Sequence, residues 1–348
     1  MSGGPRNAGE TNVRCLAIVV GSLAVSVGLA AACLGDTALA QGLHGGHSGH
    51  ASSGQLELVT GIDHGFTLAA TALLAGLAPF ATLVWLPASK EVGDGHDAIR
   101  PFGVLAWVLF YVLAVAGVGE LAAYAMRASG EPLSNDLFRE ALLDTRVGAV
   151  WLARLGFGVL TTVAITAAVR WGWAWLWWAA AGMGSMLLMT LTQLSHSAAE
   201  GRFLPFLADW VHAMAAAVWM GGLLGFAIAL FSGPLDALAP DRQATLRERS
   251  VRRFSKVATT SVVVLASTGL YAILLHVPSL QALVATPYGR ALLVKLGLLT
   301  LVLAIGAANF LLHGRRPFGR LVVAELLLAL GLFIATGFLT SLPPASAA

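Results

Sequence analysis

Residues 208–231 read ADWVHAMAAAVWMGGLLGFAIALF. After His212 nothing in this run carries a charge. At about 1.5 Å of rise per residue it is long enough to cross a hydrocarbon layer about 30 Å thick. Inside lipid a backbone must satisfy its own polar groups, so a single run of this kind spans as an α-helix. Asp209 and His212 stand at its start, one helical turn apart. Ionisable groups are costly beside lipid and mark pairing or function when they occur there.

The rest of the chain repeats the pattern. Apolar residues make up 57% and charged residues 11%, against about 45–50% and about 25% in soluble domains. Glycine and tryptophan are both abundant, as close helix packing and interfacial aromatic belts require. Apolar runs of spanning length occur near 65–88, 101–126, 147–169, 171–194, 210–231, 257–277, 291–312 and 321–339. The expected fold is therefore all-α, a polytopic membrane bundle of eight transmembrane helices. The net charge of +3 is small and scattered, which gives nucleic acid nothing to bind.

Three regions are expected. Residues 1–40 carry Arg6 and Arg14, then an apolar run, then Ala38 and Ala40 before Gln41. That pattern reads as a cleaved signal peptide, or alternatively as an N-terminal anchor helix. Residues 41–61 form a His-rich outer linker, and 62–344 the membrane domain. Cys15 and Cys33, the two cysteines of the chain, both lie in the leader, so metal ligands must come from His, Met or carboxylate.

Basic residues set the orientation. With the start of the leader in the cytoplasm, the cluster Arg242, Arg247, Arg249, Arg252, Arg253 and Lys256 falls inside, together with Lys90, Arg100, Arg170, Arg315, Arg316 and Arg320. Arg127, Arg139, Arg146, Arg202 and Arg290 fall outside, a clear positive-inside bias. The linker and the C-terminus are then both periplasmic.

In this orientation seven of the nine histidines collect at the outer face. His44, His47 and His50 lie in the linker, His64 opens the first helix and His196 closes the fourth. His212 opens the fifth and His276 closes the sixth. Met183, Met186 and Met189 run with Gln193 and His196 along one face of the fourth helix, and Met214 and Met220 flank the same depth in the fifth. Imidazole and thioether together suit a soft cation, Cu(I) above all. The short connection between the fourth and fifth helices brings His196 toward His212, and Asp209 is positioned to orient the His212 ring. The candidate metal ligands are thus His212, Asp209, His196, His64, His276, Met186, Met189, Met214, His44, His47 and His50. Glu120, Arg154, Lys295, Asn309 and Glu325 are further embedded polar groups, with Glu120 expected to pair with Arg154 or Lys295.

The stretch ADWVHAMAAAVWMGGLL resembles the signature of the copper resistance protein D (CopD) family. RRFSKVATTSVVVLASTGLYA, TPYGRALLVKLGLL, GAANF, ATGFLTSLPP and, upstream, LLDTRVGAVWLARL agree with it in order. The resemblance covers roughly 137–344, and 62–136 more loosely. It implies a bacterial inner-membrane protein that takes copper from the periplasm across the membrane, beside a periplasmic CopC-like carrier. Carried over residue by residue, the matched positions are Asp209, His212 and Trp219, with Tyr288, Gly289 and Lys295. Transport rather than catalysis is implied, so no enzyme activity is expected. Two other readings use the same histidines. One is a b-type haem electron-transfer protein with bis-His ligation, and the other is a copper-delivery or assembly partner that does not itself transport.

Overall fold

The computed structural model describes residues 49–93, 95–194, 203–231, 238–311 and 318–342. The leader, His44, His47 and His196 lie outside these residues. Among the described residues every regular element is helical, and eight helices are long and apolar enough to cross a membrane. The chain is an eight-span, multi-pass membrane protein.

Among the described residues the α-helices are α1 (Gly49–Phe80), α2 (Leu86–Val92), α3 (Phe102–Ser129), α4 (Asn135–Leu143), α5 (Arg146–Trp171), α6 (Ala174–Thr192), α7 (Phe203–Phe231), α8 (Pro240–His276), α9 (Leu280–Ala285), α10 (Pro287–Leu311) and α11 (Phe318–Ser341). A π-turn, Ala81–Trp85, joins α1 to α2. It follows Pro79, which has no N–H to continue the regular ladder. Helix α1 starts at Gly49, inside the stretch read as linker, because a nucleated helix propagates beyond its apolar part. His50 falls in its first turn.

Helix α1 is the centre of the bundle, with α3, α6, α7 and α11 packed around it. Glycines make these approaches possible. A Cβ on Gly221 would stand 2.5 Å from the Cα of Gly76, so α1 and α7 cross backbone to backbone. A Cβ on Gly65 would stand 2.6 Å from the Cα of Ile334, and one on Gly337 would run into Gly61 and Gly65. The sequence GIDHG at 61–65 is therefore a small-xxx-small seat for α11.

Up-and-down topology brings the starts of α1, α5, α7 and α10 to the same end as the finishes of α3, α6, α8 and α11. This is the histidine end. At the opposite end, the arginine end, Phe80, Trp85, Phe102, Phe226 and Phe254 close the core, with Phe226 and Phe254 stacked at 5.3 Å. The Trp85 indole donates to the Gly95 carbonyl at 3.0 Å. Glu91 accepts from both Arg249 and Arg253, which ties the end of the first span to α8.

Candidate functional site

His212 lies in the third turn of α7, part-buried, and its Nδ1 is 2.8 Å from the Thr268 hydroxyl of α8. Thr268 has one hydroxyl proton, and it is directed to the Val264 carbonyl at 2.7 Å. The oxygen must then accept from Nδ1–H, which leaves the lone pair of the ring on Nε2. That is the tautomer a metal-ligating or proton-accepting imidazole needs. Asp209 was expected to hold this ring, but the partner of Nδ1 is Thr268. Asp209 instead acts electrostatically on Lys295 and on the Tyr288 hydroxyl, both of α10. Lys295 acts in turn on His212. His276, at the end of α8, stands edge-on to the Tyr288 ring at 6.5 Å.

A second histidine is held in the same manner. His64 of α1 places Nδ1 2.6 Å from Glu120 Oε1 of α3. Glu120 Oε2 accepts from Arg154 of α5 at 3.0 Å, and Arg154 also donates to the Thr190 hydroxyl of α6 at 3.3 Å. One chain of polar contacts thus runs through four helices. A carboxylate already engaged by a guanidinium accepts the Nδ1–H, so His64 too presents Nε2. Of the two partners expected for Glu120, the structure selects Arg154. Asp63, 3% exposed, lies against the backbone of α3 at Gly119, where any Cβ would collide with its carboxylate.

Sequence reading missed Asp63 and Thr268 as members of these groups. Asp63 was legible as the neighbour of His64. Thr268 carried no signal, since an isolated threonine in a membrane helix commonly bonds its own turn.

The methionines divide. Met214 receives the Ser185 hydroxyl at 3.5 Å, which joins α6 to α7, and the Trp210 indole donates to the Ser185 carbonyl at 3.1 Å. Met186 and Met189 are part-buried on α6. Met220 is 2% exposed and packs with Trp219, Val302 and Ala329 as core. Glu325, buried on α11, faces Gly306 of α10.

Among the described residues no three His, Cys, Asp or Glu side chains converge as a metal-binding group. His64 and His212 are held by different partners, and the expected approach of His196 to His212 lies outside the described residues. Glu120 holds one ring toward α3 and Thr268 holds another toward α8, and among the described residues those two helices are not close packing partners. What the structure holds is two separately oriented imidazoles.

Residues 248–339 match the family described as copper resistance protein D, and residues 64–204 match the copper resistance protein D-like N-terminal domain. The chain is 31% identical over 221 residues to the copper transport protein CutJ of Bacillus subtilis (strain 168). That match spans 62% of this chain and 40% of CutJ. It is 29% identical over 247 residues to copper resistance protein D of Pseudomonas syringae pv. tomato, covering 68% of this chain and 76% of that protein. No solved structure matches it.

Proposed function

Because the chain belongs to the copper resistance protein D family, we propose that it binds copper at the histidine end and moves it across a bacterial inner membrane from the periplasmic side. The observation that carries this reading is the His212 ring. Its Nδ1 is committed to Thr268 and its Nε2 lone pair is left for a ligand, in the stretch ADWVH that led the sequence reading.

The proposed order of events follows the chemistry of the side chains. His44, His47 and His50, with a CopC-like carrier where one is present, raise the copper concentration at the outer surface. His212 accepts the ion, with His276, His64 and His196 as further imidazole ligands proposed at the same end of the bundle. Met214, Met186 and Met189 supply soft thioether contacts deeper in the membrane, a set that favours Cu(I) over hard cations. Asp209 balances charge at Lys295 rather than orienting the ring. The basic cluster at the other end supports a cytoplasmic placement for it.

Copper flux into proteoliposomes tests this. Wild-type protein should accumulate Cu(I), and His212→Ala should reduce the initial rate at least tenfold, about the loss of one ligand bond. Equal uptake by both would end the assignment. A Soret band in the purified protein would replace copper carriage with bis-histidine haem ligation.

A further inference from the structure

The two halves of the bundle are built on one plan. Thr145-x-x-Gly148-x-x-x-Leu152-x-Arg154-Leu155-Gly156 opens α5, and Thr286-x-x-Gly289-x-x-x-Leu293-x-Lys295-Leu296-Gly297 opens α10. The local geometry repeats with the letters. Thr145 Oγ1 accepts from Gly148 N–H at 3.0 Å and Thr286 Oγ1 from Gly289 N–H at 3.0 Å. Each hydroxyl donates to the carbonyl four residues back, Ala141 or Ala282. A short Ser-capped helix precedes each, α4 behind Ser134 and α9 behind Ser279. The separation from His64 to Glu120 is 56 residues, and that from His212 to Thr268 is also 56. Spans α1, α3, α5 and α6 therefore correspond to α7, α8, α10 and α11. In this correspondence Glu120 answers to Thr268, and Arg154 to Lys295.

The halves differ at those two positions, and they differ in closure. In the first half each span packs on the next and α6 returns to α1, a closed ring. Arg154 and Glu120 pair across the α3/α5 seam. Helix α4 covers that seam by packing on both α3 and α5, with Ala141 among Leu121, Ala125 and Trp151. In the second half, among the described residues, α8 packs on α7 and α10 on α11, while α8 and α10 meet through the His276 and Tyr288 rings at the histidine end without a helix contact comparable to that of α3 and α5. Among the described residues helix α9 packs chiefly on α10, and Leu280 and Val284 on it are 84% and 68% exposed. A threonine and a lysine cannot form the ion pair that draws α3 to α5.

We propose that the seam between α8 and α10 is the route by which copper reaches His212, and that Thr268 and Lys295 are the positioning residues that keep it open. The proposal rests on the copper reading of His212. The second half is the open version of a unit whose closed version is the first half. A carboxylate at 268 would serve His212 as Glu120 serves His64, and would add what the seam lacks, a partner for Lys295. Asp209 approaches Lys295 from α7, not from α8, so it leaves the seam open.

The test converts one half into the other. In a Cys15→Ser/Cys33→Ser background, spin labels at Leu274→Cys on α8 and Val294→Cys on α10, both exposed positions, report the width of the seam. Thr268→Glu should shorten the label distance and cut initial Cu(I) uptake by about tenfold, the population shift expected of one charge-assisted contact. Thr268→Gln, the same change of size without the charge, should leave the label distance near wild type and sets the reference for uptake, and Thr268→Glu/Lys295→Met should restore the distance and return uptake to the Thr268→Gln level. An unchanged distance in Thr268→Glu overturns the correspondence. A shortened distance with wild-type uptake overturns the access role, and so does equal loss in the double variant. A shortened distance in a chain that carries no copper even as wild type upholds the seam and retires the copper reading.

Discussion

Arg154 is 3% exposed and pairs with a glutamate that also holds a histidine. Truncating either charge leaves the other in a low-dielectric interior without compensation, a far larger loss than breaking a surface pair. Arg154→Met should therefore destabilise the protein by about 3–5 kcal/mol, read as a lowered thermal midpoint in detergent. Glu120→Gln/Arg154→Met, which removes both charges, should recover much of that loss. If the single variant melted with wild type, the pair would be shown to contribute nothing. At this scale the sequence was legible in its parts. Glu120 and Arg154 were recognisable as embedded charges, and His64 and His212 as unusual histidines. Which groups met was not legible, because contacts between residues 34 to 56 positions apart depend on helix rotation, which apolar composition leaves undetermined.

Helices α1 and α7 meet through glycine on both sides, so the element scale is governed by backbone approach. Substituting Gly221 forces a side chain into the Gly76 backbone, which cannot rotate away as a side chain would. Gly221→Leu should cost about 1–3 kcal/mol or more through overpacking. It should also lower the yield of folded, monodisperse protein in size-exclusion chromatography. A variant with wild-type yield and midpoint would mean that the crossing is slack. The abundance of glycine announced close helix packing in the sequence. The identity of the neighbour of Gly221, Gly76, was not announced. The methionine stripe divided the other way. Its spacing on the fourth helix was legible, whereas only the packing shows that, of the two methionines flanking it on α7, Met220 lies in the core and Met214 receives the Ser185 hydroxyl.

For the whole molecule, the uneven distribution of bases predicts sidedness. Single cysteines introduced at Leu280 of α9 and at Arg252 of α8, in the same cysteine-free background, should differ in labelling by a membrane-impermeant maleimide in spheroplasts. Leu280→Cys should label and Arg252→Cys should not until the membrane is opened. The reverse pattern would invert the proposed direction of transport. The eight spans and their apolar lengths were set by composition alone, because lipid demands helices of fixed minimum length whatever their neighbours. The family was likewise carried by local motifs. Tertiary structure decided how those helices rotate and pair. It turned His64 to Glu120 and His212 to Thr268 and, among the described residues, closed the ring of spans in one half of the bundle but not in the other. These outcomes depend on a few polar contacts and glycine crossings whose partners are far apart along the chain, and no local pattern of hydrophobicity encodes them.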